Sequence, residues 1–192
     1  MATATRPRTT LADMLPGERV RDAVVVVLGA VLTGLAAQVS FHIPGTPVPV
    51  TGQTFAVLLT GAALGFGRAA LSMLLYMAAG IAGVPWYANH GSGFGGPAFG
   101  YVVAFIGAAA LVGWLAERGG DRTVARTLAT MLAGTVLIYL IGASWLALDL
   151  HLTAGTAFSL GVQPFLLGDA IKLVLATGLL PGAWWLVGRG RR

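Results

Sequence analysis

Two ionisable residues stand where apolar ones would be expected. Asp169 and Lys172 lie in an apolar run from about Phe165 to Val187, and Lys172 is the one lysine in the chain. On a helix, residues three apart share a face. Charges within a membrane span are costly, so they usually turn inward and mark function. A carboxylate can accept two N–H groups of a cyclic urea or amide, and an ammonium donates to a carbonyl or carboxylate. The pair therefore suits the polar floor or wall of a small-molecule pocket; the alternative is an ion pair that only fixes helix packing. Gln53 opens the second apolar run and offers both donors and an acceptor, though a surface glutamine at a helix start fits as well. Gln38 reads as structural.

The segment Gly83 to Pro97 adds further candidates. It holds five glycines, Gly91 among them, with Trp86, Tyr87, Asn89, His90 and Phe94. Glycine lets backbone approach a ligand closely, and aromatic rings supply flat apolar contact. From Ile43 to Val50, Pro44, Pro47 and Pro49 hold the chain extended. Both segments suit the mouth and lid of a pocket, or else surface lids with interfacial aromatics.

Other chemistries lack their parts. His42, His90 and His151 match no metal-site spacing, and cysteine is absent, which removes thiolate sites and disulfides. No glycine–lysine pair exists for a P-loop, since Ile171 precedes Lys172. Ser92 sits in Gly91-Ser92-Gly93, but no histidine falls within an apolar run to act as its base. The expectation is a non-enzymatic binding protein without metal or cofactor.

The positioning elements are helices. The chain has 192 residues, 56% hydrophobic and 10% charged, with mean hydropathy +0.80; a soluble domain carries about 25% charged residues. Apolar runs cover about Val20–Ser40, Thr51–Leu64, Ala69–Ile81, Ala98–Ala116, Val124–Leu148 and Phe165–Val187. This pattern predicts an all-α bundle of six transmembrane helices over residues 20–188, in one domain. The second and third runs are short, which requires tilt or burial of their ends in protein. Residues 1–19 read as a polar tail, without a signal-peptide cleavage site, and residues 189–192 as a basic end.

Arginine sets the orientation. Arg6, Arg8, Arg19 and Arg21 precede the first run, Arg68 lies between the second and third, Arg118, Arg122 and Arg126 between the fourth and fifth, and Arg189, Arg191 and Arg192 follow the sixth. The connections near 41–50, 83–97 and 149–163 hold no lysine or arginine. Positive charge stays on the cytoplasmic side, so both termini face inward and these three loops outward. On the first helix Gly29, Ala30, Thr33, Gly34 and Ala37 form a small-residue stripe, suited to packing within the chain or to docking a separate membrane subunit at Ala30 and Gly34.

Four stretches carry a family resemblance from about Val24 to Gly188. Ala37-Gln38-Val39-Ser40, continuing through Ile43-Pro44-Gly45-Thr46-Pro47-Val48-Pro49 and Thr51-Gly52-Gln53-Thr54-Phe55, is the most specific. Gly83-Val84-Pro85-Trp86-Tyr87-Ala88 is the second. Gly96-Pro97-Ala98-Phe99-Gly100-Tyr101 resembles a Gly-Pro-Thr-Gly-Gly-Tyr pattern with two substitutions. Gln163-Pro164-Phe165-Leu166-Leu167-Gly168-Asp169-Ala170-Ile171-Lys172 resembles a Pro-Phe-Leu-Pro-Gly-Asp-Leu-Ile-Lys signature, with Leu167 for the second proline and Ala170 for the leucine. The chain thus resembles BioY, the biotin-binding S component of energy-coupling-factor (ECF) transporters. The resemblance implies a six-helix S-component fold in a bacterial plasma membrane, high-affinity biotin capture from outside, and partnership with a transmembrane coupling subunit and two ATPases. It implies roles in biotin binding for Asp169, Lys172 and Asn89, and a coupling face at Ala30 and Gly34. The aromatic residues Trp86, Tyr87 and Phe94 are expected against the ring system, with Gln53 and Gly91 nearby. The alternatives are a self-sufficient secondary carrier, which would call for matched repeats with broken helices, and a membrane scaffold without a ligand.

The arginine pattern generates a topology test. A cysteine placed at Ser92 should react with a membrane-impermeant thiol reagent on intact cells, and one at Thr123 should not. The reverse labelling would overturn the orientation.

Overall fold

The structure is a computed structural model that describes residues 10–14 and 18–189, with side chains at 10–13 and 20–186. Most of the expected tail and basic end, including Arg6, Arg8, Arg191 and Arg192, lies outside the described residues. Seven α-helices follow in order: α1 (Glu18–Gln38), α2 (Gln53–Leu64), α3 (Phe66–Ile81), α4 (Phe99–Glu117), α5 (Val124–Asp149), α6 (Ala154–Gly161) and α7 (Leu166–Arg189). Six coincide with the expected apolar runs to within a few residues at each end. Stretches long and apolar enough to cross a membrane cover Val20–Gln38, Phe99–Glu117, Val124–Asp149 and, counting α6 with α7, Ala154–Leu186.

Helices α2 and α3 are shorter. At 1.5 Å per residue they reach about 18 and 24 Å, less than a ~30 Å hydrocarbon layer. They meet at a single residue, Gly65, whose φ of 82° is a left-handed conformation that glycine adopts without strain. This elbow is buried in protein: a Cβ at Gly113 of α4 would collide with the Gly65 and Phe66 backbone. The Arg68 Nε donates to Leu64 O at 2.7 Å, and Glu117 Oε1 accepts from the Phe66 amide at 2.9 Å, which satisfies helix-end groups that lipid could not.

Part of the expected N-terminal tail is packed. Thr10 is fully buried, and Leu11–Met14 forms a 3₁₀ turn against the elbow. Arg68 joins Asp13 at 2.8 Å and Asp22 of α1 at 3.2 Å. Burial alone would raise the Asp13 carboxyl, but the Thr10 backbone N–H, Arg68 and the Thr10 hydroxyl hold it down at about 2. Across the same side, the Trp184 indole donates to Asp121 Oδ2 at 2.6 Å and ties α7 to the α4–α5 turn. Burial pushes the Asp121 carboxyl up.

Two connections carry structure that the sequence pattern did not suggest. Ser40–Phe41 and Val50–Thr51 pair as an antiparallel ribbon, β1 and β2, that closes the proline-rich segment. The 149–163 connection contains α6, capped by Thr153, whose hydroxyl accepts from the Thr156 amide. At eight residues it is too short to cross a membrane.

The small-residue stripe of α1 faces inward, which favours the alternative of packing within the chain over docking a separate subunit. Ala30, Thr33 and Ala37 are fully buried. Gly29 meets Ser72 and Thr60, and a Cβ at Gly34 would lie 3.1 Å from the Trp86 ring. The opposite face, with Val24, Leu28, Val31, Leu32 and Leu35, is exposed and uniformly apolar. Gly34→Trp should therefore destabilise the chain itself, by roughly 1–3 kcal/mol or more from overpacking. A thermal unfolding midpoint equal to that of the parent protein would show that this face tolerates bulk.

Candidate functional site

A cavity of about 310 Å³ opens between the proline-rich segment, the 83–97 loop and the neighbouring parts of α2, α4, α5 and α7. That volume is at the lower end of small-molecule sites, roughly 300–1,000 Å³. Its wall is mostly apolar, with Val48, Phe99, Val102, Phe105 and Phe165, and its polar groups concentrate at two places.

The first is the floor. Asp169 is 6% exposed and is held from three helices. Tyr139 of α5 donates its hydroxyl to Oδ2 at 2.5 Å, Lys172 of α7 approaches Oδ1 at 2.7 Å, and the Thr54 hydroxyl of α2 lies 3.4 Å from the same oxygen. Lys172 also donates to Thr51 O at 2.9 Å and Thr54 Oγ1 at 2.8 Å. An ammonium has three N–H groups, so all three are engaged within the protein. Lys172 thus stands as a fixed counter-charge to Asp169, with no N–H group left free. Gln53 completes the floor. Its Nε2 donates to Tyr76 Oη at 2.5 Å and its Oε1 accepts from Thr51, leaving one amide N–H uncommitted.

The second place is the rim, where His42, Asn89, Ser92, Gly95 and Gly96 are exposed and line the cavity. Gln38 fastens this loop. Its amide donates to Gly34 O, Trp86 O and Tyr87 O, and its Oε1 accepts from the His90 amide. The structural role expected of Gln38 is the one it has. Asn89 adopts a left-handed backbone, φ 56° and ψ 39°, that asparagine tolerates better than most residues.

Of the expected site residues, Asp169, Lys172, Asn89, Gln53 and Tyr87 line one cavity. Trp86, Phe94 and Gly91 do not. Trp86 turns away, with its indole donating to Tyr76 O at 2.9 Å and its ring filling the space beside Gly34. Phe94 is 74% exposed and packs on Phe99 with centroids 4.7 Å apart, so it touches the site only through that ring. Gly91 pairs with Tyr87 across a backbone bridge. Tyr87 stays a hydrogen-bond donor, to Met77 O at 2.7 Å, and burial pushes its phenol up to about 12.

Sequence reasoning passed over Tyr139 and Tyr101. Both carry a hydroxyl inside an apolar run, and a buried tyrosine normally finds a partner for it; that signal could have placed them near a polar group. No cluster of three or more His, Cys, Asp or Glu that could hold a metal ion occurs among the described residues.

Three comparisons bear on the family. Residues 5–189 match the model of the BioY family. A BioY relative from Pyrococcus horikoshii is 37% identical over 161 residues, covering 82% of this chain and 93% of the relative. The biotin transporter BioY of Rhizobium etli is 32% identical over 167 residues, with 81% and 89% covered. Among solved structures, the S-component for biotin of an ECF-type ABC transporter superposes with a TM-score of 0.77, covering 88% of this chain and 93% of that one at 20% identity. At that identity it establishes the shared fold alone.

The floor geometry orders two variants. Lys172→Met leaves a buried carboxylate without its counter-charge and should destabilise the ligand-free protein by about 3–5 kcal/mol. Tyr139→Phe removes one bond to a charged acceptor, worth about 1.5–3 kcal/mol. Thermal unfolding in detergent should therefore place Lys172→Met below Tyr139→Phe and both below the parent; equal midpoints for all three would contradict this cluster.

Proposed function

The chain belongs to the BioY family, and from that premise we propose that it is the substrate-binding membrane subunit of a vitamin uptake system, capturing biotin from outside the cell. The observation that carries the reading is Asp169: a carboxylate at the bottom of an apolar cavity, fixed by Tyr139, Lys172 and Thr54, with a lone pair left on Oδ2. Biotin presents two ureido N–H groups at one end and a thioether ring beside them. A carboxylate suits the first, and the apolar wall of Phe99, Phe105 and Phe165 suits the second. Directional bonds of this kind give specificity to a mostly apolar pocket. The ureido carbonyl needs a donor, and the free N–H of Gln53 and the amide of Asn89 are the candidates.

In this reading the chain makes and breaks no covalent bonds. Energy for transport comes from a separate transmembrane coupling subunit and a pair of ATPases in the plasma membrane of a bacterium. The family match and the S-component fold of its structural neighbour support that assembly. The surface meeting the coupling subunit lies elsewhere than Ala30 and Gly34, which are occupied by the chain's own Trp86 and neighbouring helices.

Calorimetry on the purified protein should give tight binding of biotin and none of thiamine or riboflavin. Asp169→Asn keeps the shape but removes the charge and one acceptor. A charge-assisted bond is worth about 1.5–3 kcal/mol, so affinity should fall at least ~10-fold. The unfolding midpoint without biotin separates this from misfolding. A folded Asp169→Asn protein with unchanged affinity would remove Asp169 from the site.

A further inference from the structure

Biotin's valerate chain ends in a carboxylate, and the floor described above offers it no free cation. The ammonium of Lys172 is saturated by Thr51, Thr54 and Asp169, and a second carboxylate beside Asp169 would meet like charge. If the ureido group occupies the floor, an elongated ligand brings its other end to the rim.

At the rim one side chain of the right chemistry lines the cavity: His42, in the residue after β1, where the proline-rich segment begins. Apart from Lys172 it is the only lining residue that can carry positive charge, and no arginine or lysine lies in the connections near 41–50 and 83–97. An imidazole donates one N–H when neutral and two as imidazolium. His90, the histidine within the 83–97 loop, does not line the cavity. Ser92 and the 93–96 turn line the same cavity as His42. Gly93, Gly95 and Gly96 there have φ of 95°, 92° and 84°, and a Cβ on any of them would meet nothing within 4 Å. The backbone is thus open to close approach by a ligand, and the amides of Gly95 and Gly96 donate to no acceptor in the chain among the described residues. Histidine, a hydroxyl and free backbone amides together form a set of donors with no competing acceptor side chain other than Asn89.

We propose that His42, with Ser92 and the Gly95–Gly96 amides, forms the subsite that receives the ligand's carboxylate at the cavity mouth. The assignment rests on the reading of the cavity as a biotin site. It makes His42 a specificity-determining residue, selecting an anionic tail, whereas Asp169 selects the ureido head.

The test compares two probes by calorimetry on the full chain in detergent: biotin, and the analogue in which a methyl group replaces the carboxylate. The parent protein should prefer biotin by about 10-fold or more, the scale of one charge-assisted bond. His42→Ala should lower biotin affinity by a similar factor, leave the methyl analogue within about 2-fold, and so erase the preference. His42→Gln, which retains a donor, should restore part of it and also covers the case in which the alanine variant fails to fold. Asp169→Asn should weaken both probes alike. Equal binding of the two probes by the parent, or a preference for biotin that survives both His42 substitutions, would overturn the subsite. So would an equal loss of both probes in His42→Ala and His42→Gln, which would mark a structural residue. A parent protein that binds neither probe would instead sink the biotin reading itself.

Discussion

A carboxylate set within an apolar bundle is tolerable only when its charge is neutralised and its oxygens are bonded. Asp169 meets that condition through groups from three helices: Tyr139 on α5, Thr54 on α2 and Lys172 on its own α7. Removing the charged partner from such a buried set costs about 3–5 kcal/mol, a large share of a typical domain's net stability. The cluster therefore does two things at once. It holds α2, α5 and α7 at fixed separations, and it presents a pre-oriented acceptor to the cavity. Because Lys172 also bonds the Thr51 carbonyl at the end of β2, the proline-rich rim is tied to the same point.

Bringing helices close enough for that cluster requires small residues at their crossings. Gly134 of α5 meets Leu58 of α2 and Val112 of α4, Gly142 meets the ring of Tyr101, and Gly100 meets Trp145. In each case a glycine on one helix accepts a large side chain from another, so ring and branched side chains fill the interior without holding the axes apart. In lipid, where the surroundings are as apolar as the core, such close packing replaces the hydrophobic effect as the source of association. The short α2–α3 hairpin follows the same rule: its Gly65 elbow packs against α4 at Gly113, and Arg68 and Glu117 satisfy its free ends.

The loops on the opposite side are ordered by polar contacts rather than by apolar packing alone. Gln38 reaches from the end of α1 to three carbonyls and one amide, and Tyr76 and Tyr87 fasten the same loop to α3. Trp86 was expected to face a ligand because it is aromatic and lies in a glycine-rich loop. It instead plugs the space left by Gly34. An aromatic residue in such a loop has two apolar surfaces to choose between, and its type does not say which one it covers.

The sequence by itself determined the helices, their order and the residues set apart by charge. These depend on local composition and period: recurrent runs of apolar residues, arginines at their ends, and Asp169 and Lys172 three positions apart. Tertiary structure alone decided which faces turned inward. A helix in lipid can be equally apolar on every side, so periodicity placed Ala30 and Gly34 on one stripe without saying whether it met the protein's own Ser72 and Trp86 or a partner. It likewise decided that all three N–H groups of Lys172 were engaged, that Tyr139 reached Asp169 from 30 residues away, and that His42 rather than His90 stood at the cavity mouth. Each of these is a distance between segments remote in sequence, and residue type and spacing carry no information about such distances until the helices have packed.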